Sequence, residues 1–183
     1  MTAEEILIFG NPTLRKNAAP LTVFDDSLKA TVEEMFTTMI EADGIGLAAP
    51  QVGISKRFLI IGMPREDDEI ERLFFANPEV VAMEGESEYD EGCLSVPGIR
   101  AEILRPEWIR FRYQDIDGNQ LELEDGGLLA RVLQHEIDHL NGILFIDRLS
   151  PSKRSLLKKT LQKMAETGQK PDNIPAAFSD AEE

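Results

Sequence analysis

Two histidines stand four residues apart in His135-Glu136-Ile137-Asp138-His139, and the chain has no others. On a helix this spacing puts both imidazoles on one face, within reach of one point. Two His at that interval, with a Glu directly after the first, is the pattern of zinc-hydrolase helices. Burying His, Glu, Asp and His together on an apolar helix is costly without a partner, and a metal ion is such a partner. The competing reading is a chance match, which for average composition arises on the order of once in a few hundred chains of this length.

A catalytic site of this kind takes three protein ligands and leaves one position open for water. The histidines leave one ligand to find. No His remains downstream, and Asp147, Asp180, Glu182 and Glu183 lie at unpromising spacings. The only cysteine is Cys93, in Glu91-Gly92-Cys93-Leu94-Ser95. A lone cysteine is ordinarily a small buried hydrophobe. Beside Gly92, in a loop between strands, and with a ligand slot unfilled, Cys93 is read as the third ligand. A closed structural site needs four protein ligands, one more than the sequence offers.

The elements that must position these residues follow from hydrophobic periodicity. Leu28, Val32, Met35, Phe36, Met39 and Ile40 recur at three and four, so residues 27–43 are expected to form an amphipathic helix. Asp25, Asp26 or Ser27 caps it and Gly44 ends it. A loop rich in glycine follows, Gly44 to Gly53, and Phe58-Leu59-Ile60-Ile61 reads as a buried strand. Residues 64–72 are charged and expected to be a solvated loop. Leu73–Ala76 and Glu79–Ala82 read as strand segments interrupted by Asn77-Pro78. Trp108 to Gln114 alternates as a half-buried strand, and Asp117-Gly118 turns it into Leu121–Leu123. Residues 127–140 form a second, largely buried helix closed by Asn141-Gly142. Ser150-Pro151 opens a third helix that runs to about Met164. The expected fold is α+β: mixed or antiparallel strands around a central metal-binding helix, with an N-terminal and a C-terminal helix. One catalytic domain spans residues 1–165, and 166–183 form a flexible acidic tail.

Composition limits the function classes. The net charge is -15, which argues against direct DNA binding and against attraction to an anionic membrane. A single cysteine fits a reducing cytoplasm. The N-terminus lacks the basic start of a signal peptide, and no apolar run is long enough to span a bilayer. The third helix is the exception to the acidity, with Lys153, Arg154, Lys158, Lys159 and Lys163. It is read either as a solvated face or as a transient contact to the ribosome.

Gly44-Ile45-Gly46-Leu47-Ala48-Ala49-Pro50-Gln51, Glu91-Gly92-Cys93-Leu94-Ser95 and Gln134-His135-Glu136-Ile137-Asp138-His139 resemble the three motifs of the peptide deformylases, in that family's order. The likeness covers about residues 10–163, and the C-terminal helix points to the bacterial or organellar subtype. The resemblance implies hydrolysis of the formyl group from the N-terminal formylmethionine of new polypeptides. It implies one divalent metal per chain, Fe(II), with Zn, Ni or Co able to substitute. It implies Glu136 as the acid/base, and the Gln51 amide and Leu94 backbone N–H as donors to the oxyanion. A formylmethionyl peptide would then pair as a strand near Gly44, Ile45 and Gly46 and near the loop at Gly98. Its methionine side chain would sit among Ile45, Leu128 and Val132, with the stem of Arg131 at the mouth. Arg100, Arg105, Glu91 and Asp138 are read either as charges supporting the site or as surface ion pairs. Two rivals stand beside this reading. A metallopeptidase lacks its downstream ligand here, and an inactive homologue would bind formylated chain ends without releasing formate.

Overall fold

The computed structural model describes residues 2, 5–66 and 69–179. Its helices are α1 (Asp26–Glu41), α2 (Leu128–Leu140) and α3 (Pro151–Thr167). Its strands are β1 (Gly46–Ala48), β2 (Phe58–Pro64), β3 (Ile70–Glu84), β4 (Ser87–Glu91), β5 (Ala101–Arg105), β6 (Trp108–Gln114) and β7 (Gln120–Asp125). Five of them make an antiparallel sheet in the order β1-β2-β3-β6-β7, and β4 and β5 pair as a separate hairpin. The architecture is α+β.

The apolar run of β2 explains how the layers meet. Phe58 and Ile60 pack with α1, whereas Leu59 and Ile61 pack with α2. A strand buried on both faces reads as a continuous apolar run rather than an alternation. The half-buried β6 does alternate, with Ile109 and Phe111 inward and Arg110 and Arg112 outward. In a third cluster, β5, the segment 144–149 and α3 bury Ile103, Phe145, Leu157 and Met164 together.

Caps and turns refine the expected boundaries. Asp25 caps α1 by accepting from Leu28 N–H at 2.9 Å. The helix stops before Gly44 because Asp43 adopts a positive φ of 57°. At the start of α2, Asp125 accepts from the N–H groups of Gly127 (2.7 Å) and Ala130 (3.0 Å). Ser150 caps α3, which runs past Met164 to Gly168 in the left-handed region.

Three expectations are corrected. Asn77-Pro78 does not interrupt the strand: β3 runs through, with a register shift between Ala76 and Glu79. The positive φ of Asn77 is secured by its side chain, which bonds Leu21 N–H, Leu21 O and Gln114. The loop of 64–72 shrinks, since β2 reaches Pro64 and β3 begins at Ile70, with Asp67 and Asp68 outside the described residues. The segment after α3 does not leave the body. It folds back, and Phe178 is buried in the third cluster. The acidic end, Asp180 to Glu183, lies outside the described residues.

Candidate active site

Helix α2 packs against the sheet, and from Ala130 to Leu140 every residue except Gln134 is buried. His135 and His139 project from one side of it, their ring centroids 5.0 Å apart. The loop after β4 brings Cys93 to them. One ligand atom from each of Cys93, His135 and His139 lies within 4.8 Å of the others. Cys93 Sγ is 3.2 Å from His139 Nε2. His135 Nδ1 faces Glu91 Oε2 at 2.9 Å. That contact fixes the ring and leaves its other nitrogen free for a ligand role.

Electrostatics give a test of whether these residues fit a metal. Burial pushes His135 toward its neutral form, but Cys93 and Glu91 outweigh it and raise its pKa well above the ordinary value. Burial and the His135 charge push His139 well below. A divalent cation satisfies Cys93, His135 and His139 and still leaves a position open, so the residues fit one.

Glu136 is buried, and its Oε2 has no hydrogen-bond partner among the described residues. Burial, opposed by His135 and Arg105, raises its carboxyl to about 7. A cation at the ligands draws it back toward the ionised form. Strand β1 comes so close that a Cβ on Gly46 would stand 2.5 Å from Glu136 Oε1 and 2.8 Å from Val132 Cγ1. Only glycine fits there.

The other expected site residues are also brought together, Gln51 most firmly. Its Oε1 accepts from Ala48 N–H at 2.8 Å, so its amide nitrogen points to Ser95 Oγ (3.2 Å) and Cys93 Sγ (3.8 Å). A cleft of about 620 Å³ opens over the triad. Gly44, Ile45, Gly46, Gln51, Leu94, Gly98, Arg100, Leu128, Arg131, Val132 and Glu136 line it, with Cys93 and His135 at its base. His139 does not line it.

Arg131 lines the cleft and turns its guanidinium into the protein. It is buried and bonds Glu91 Oε1 (3.2 Å), Ile103 O (3.1 Å) and both the carbonyl and hydroxyl of Ser87 (2.7 Å each). It is a brace between α2 and the β4–β5 hairpin. Among the four supporting charges, Arg100 alone is on the rim, paired with Asp90 at 2.6 Å. Arg105 is buried and grips Glu91 with Nε (2.6 Å) and Nη2 (2.9 Å). Its Nη1 reaches Asp138 at 2.7 Å, and Arg148 completes the array with two bonds of 2.6 Å to Asp138. Burial alone would raise Glu91, but Arg105 and His135 hold it down at about 2. Arg148 and Ser87 were missed in the sequence, since they carry no motif and only the fold brings them here; Ser95 stands inside the Cys93 motif, but its bond to Gln51 was not foreseen.

This fold, with Cys93 and His135 in an open cleft, His139 next to them and Glu136 buried beside them, defines a metallohydrolase class. The family model described as polypeptide deformylase matches residues 3–155. A peptide deformylase of Thermotoga sp. (strain RQ2) is 50% identical over 163 residues, 88% of this chain and 96% of that protein. The crystal structure of a peptide deformylase from Legionella pneumophila aligns with a TM-score of 0.80 at 44% identity, over 91% of this chain and 98% of that one. One from Synechococcus elongatus, in complex with actinonin, gives 0.80 at 42% identity, over 86% and 85%. The chain belongs to the peptide deformylase family. It removes the formyl group from the N-terminal methionine of formylated nascent polypeptides.

The buried array generates a stability prediction. Glu91 is depressed in the folded state, so its stabilisation is complete above its unfolded pKa of about 4.5 and disappears as pH falls through about 2. Arg105→Met leaves Glu91 to Arg131 and His135 and leaves Asp138 to Arg148, and should cost up to about 3 kcal/mol at neutral pH. It should also flatten the fall in stability between those pH values. Urea unfolding of chelator-treated protein measures both, with metal release playing no part. An unchanged midpoint for Arg105→Met would show that the array contributes nothing.

Proposed function

We propose that Cys93, His135 and His139 hold one divalent metal at the heart of this deformylase and that Glu136 carries the proton. The observation behind this reading is the convergence of three ligand atoms within 4.8 Å beside a buried, unpartnered carboxylate oxygen. When bound, the ion supplies Lewis acidity, which lowers the pKa of water from 15.7 toward about 7. Glu136 takes the proton of the attacking water and delivers it to the departing amine nitrogen. The Gln51 amide, held by Ala48, and the Leu94 backbone N–H stabilise the oxyanion on the formyl carbon. Glu91 keeps the His135 ring in its orientation.

The peptide adds as an extended strand along Gly44, Ile45 and Gly46 on one side and the loop of Gly98 and Arg100 on the other. Its methionine side chain lies against Ile45, Leu128 and Val132, and Arg131 supports that wall from behind. Thiolate and imidazole suit iron, zinc, nickel and cobalt alike. Likeness to the family favours Fe(II). A thiolate ligand and a single cysteine suit the reducing cytoplasm. Among the described residues, no helix is long and apolar enough to cross a membrane.

Helix α3 turns Leu157, Leu161 and Met164 inward and leaves Lys153, Lys158 and Lys159 exposed. Arg154 and Lys163 are engaged with Asp147 and Asp172. The exposed lysines are the proposed contact to the ribosome, an anionic partner.

Glu136→Gln should retain the metal and lower formate release by about a hundred- to ten-thousandfold. Cys93→Ala should lose the metal itself. Metal per chain and formate release from formyl-Met-Ala-Ser, measured on both, separate the roles. Loss of metal from Glu136→Gln would make Glu136 a ligand and end this mechanism. Protein purified under nitrogen should contain iron and lose activity in air, through oxidation at the thiolate site. Replacing the iron by nickel should abolish that loss, and equal stability in air with iron retained would refute the Fe(II) assignment. Reversing Lys153, Lys158 and Lys159 to Glu should abolish ribosome co-sedimentation at low salt without changing turnover of free peptide. Unaltered co-sedimentation removes α3 as the contact.

A further inference from the structure

The cleft wall formed by residues 97–100 has little structure of its own. It leaves Cys93 through a turn closed by Val96 N–H to Cys93 O at 2.9 Å, and it enters β5 only at Ala101. Pro97, Gly98, Ile99 and Arg100 all line the cleft.

The other side of this wall is covered by the chain that follows α3. Ile99 and Ser179 form an antiparallel bridge, and Arg100 N–H donates to Phe178 O at 2.9 Å. The Phe178 side chain is 3% exposed and shares one apolar cluster with Val96, Ile99 and Ala101 and with Leu157, Leu161 and Met164 of α3. The returning segment is tied to α3 by Thr160 Oγ1 donating to Asn173 O at 3.3 Å. It also presses on Gly98, where a Cβ would stand 2.4 Å from Lys170 Cε and 2.7 Å from Ile174 Cδ1. Gly98 has a φ of +75°, so its backbone conformation favours glycine at this point.

We propose that the segment from Lys170 to Ser179 is a strap that pre-forms the 97–100 wall for the peptide, with Phe178 as its positioning residue. The inference rests on the reading of Gly98 and Arg100 as peptide contacts. The physical reason is that a strand-like partner binds well only if its backbone is already extended and fixed. A wall that must be ordered on binding loses affinity by the conformational entropy of the residues it orders. The strap supplies one main-chain acceptor, one bridge and an apolar anchor, and its backbone contacts fall on Ile99 and Arg100 rather than on Glu136 or the metal ligands, although Cys93 packs against the cluster that holds Phe178. Its effect therefore falls on KM rather than kcat, and on substrates long enough to run along the wall.

The test compares the full chain, a chain ending at Gly168, Phe178→Ala and Phe178→Leu, all metal-loaded and assayed for formate release. The substrates are formyl-Met-Ala-Ser and formyl-methionine amide. With the tripeptide, truncation and Phe178→Ala should raise KM on the order of tenfold, the cost of reordering about one backbone residue on binding. The kcat and metal content should be unchanged. Phe178→Leu should restore most of the affinity, and the KM of formyl-methionine amide should not move. Phe178→Ala carries the test if the truncated chain does not fold. An unchanged tripeptide KM overturns the proposal, as does an equal rise for both substrates or a loss confined to kcat. Arg100→Ala in the intact chain isolates the underlying reading. If it raises the tripeptide KM while the strap variants do not, the strap is wrong and the groove stands. If neither class of variant changes KM, the peptide does not follow this wall, and both fall.

Discussion

The carboxylate of Glu91 is where the structure is tied together. Arg105 grips both of its oxygens, Arg131 reaches one, and His135 turns its Nδ1 to the other. Those donors come from β5 and α2, while Glu91 ends β4. One buried anion thus fixes a hairpin to a helix. Because Cys93 follows two residues later, the same anion also fixes where the sulfur arrives relative to the two imidazoles. A buried carboxylate survives only with such saturation. Removing it would leave two guanidinium groups in a site of low dielectric without their counter-ion.

The array also explains how an acidic protein builds an anion-rich centre. Glu91, Glu136 and Asp138 lie within a few residues of the ligands, and Arg105, Arg131 and Arg148 are arranged around them. Glu136 is the exception. It lacks the direct guanidinium contacts of Glu91 and Asp138, and burial lifts its carboxyl where Arg105 depresses that of Glu91. Two carboxylates 45 positions apart in the sequence are thereby given opposite proton affinities by their surroundings, one as a permanent anion and the other as a group that can exchange a proton.

The motifs and helices were legible because each depends on local spacing. His135 and His139 share a helix face whatever the rest of the fold does, and the apolar positions of α1 and α2 repeat at helical intervals. The order of elements, the β6–β7 hairpin and the buried β2 also followed from pattern. What escaped depends on distant partners. Asn77 looked like a strand break because its side-chain bonds to Leu21 and Gln114, which make the positive φ tolerable, join residues remote in sequence. The partners of Arg131 were hidden because nothing local announces Ser87 and Glu91 as its acceptors. The β4–β5 hairpin, with Tyr89 and Leu104 exposed, gave no clean alternation to read. Phe178 stood in a polar, proline-containing segment, where one aromatic residue is a weak sign of docking.

The tight approach of β1 to α2 bears on how the sheet finds its alignment. A strand with one wet face is held in place because sliding by one residue would turn its apolar side chains outward. β2 has no such safeguard, since Phe58 to Ile61 are apolar at every position and would stay buried after a slide. Its neighbour supplies the missing constraint. Gly46 pairs with Ile61 and lies under Glu136 and Val132, where any larger residue collides. Moved by one position, β1 would bring Leu47 or Ile45 to that point, and the helix could not seat. The glycine that clears room for the acid/base is therefore also a steric key that admits a single strand alignment.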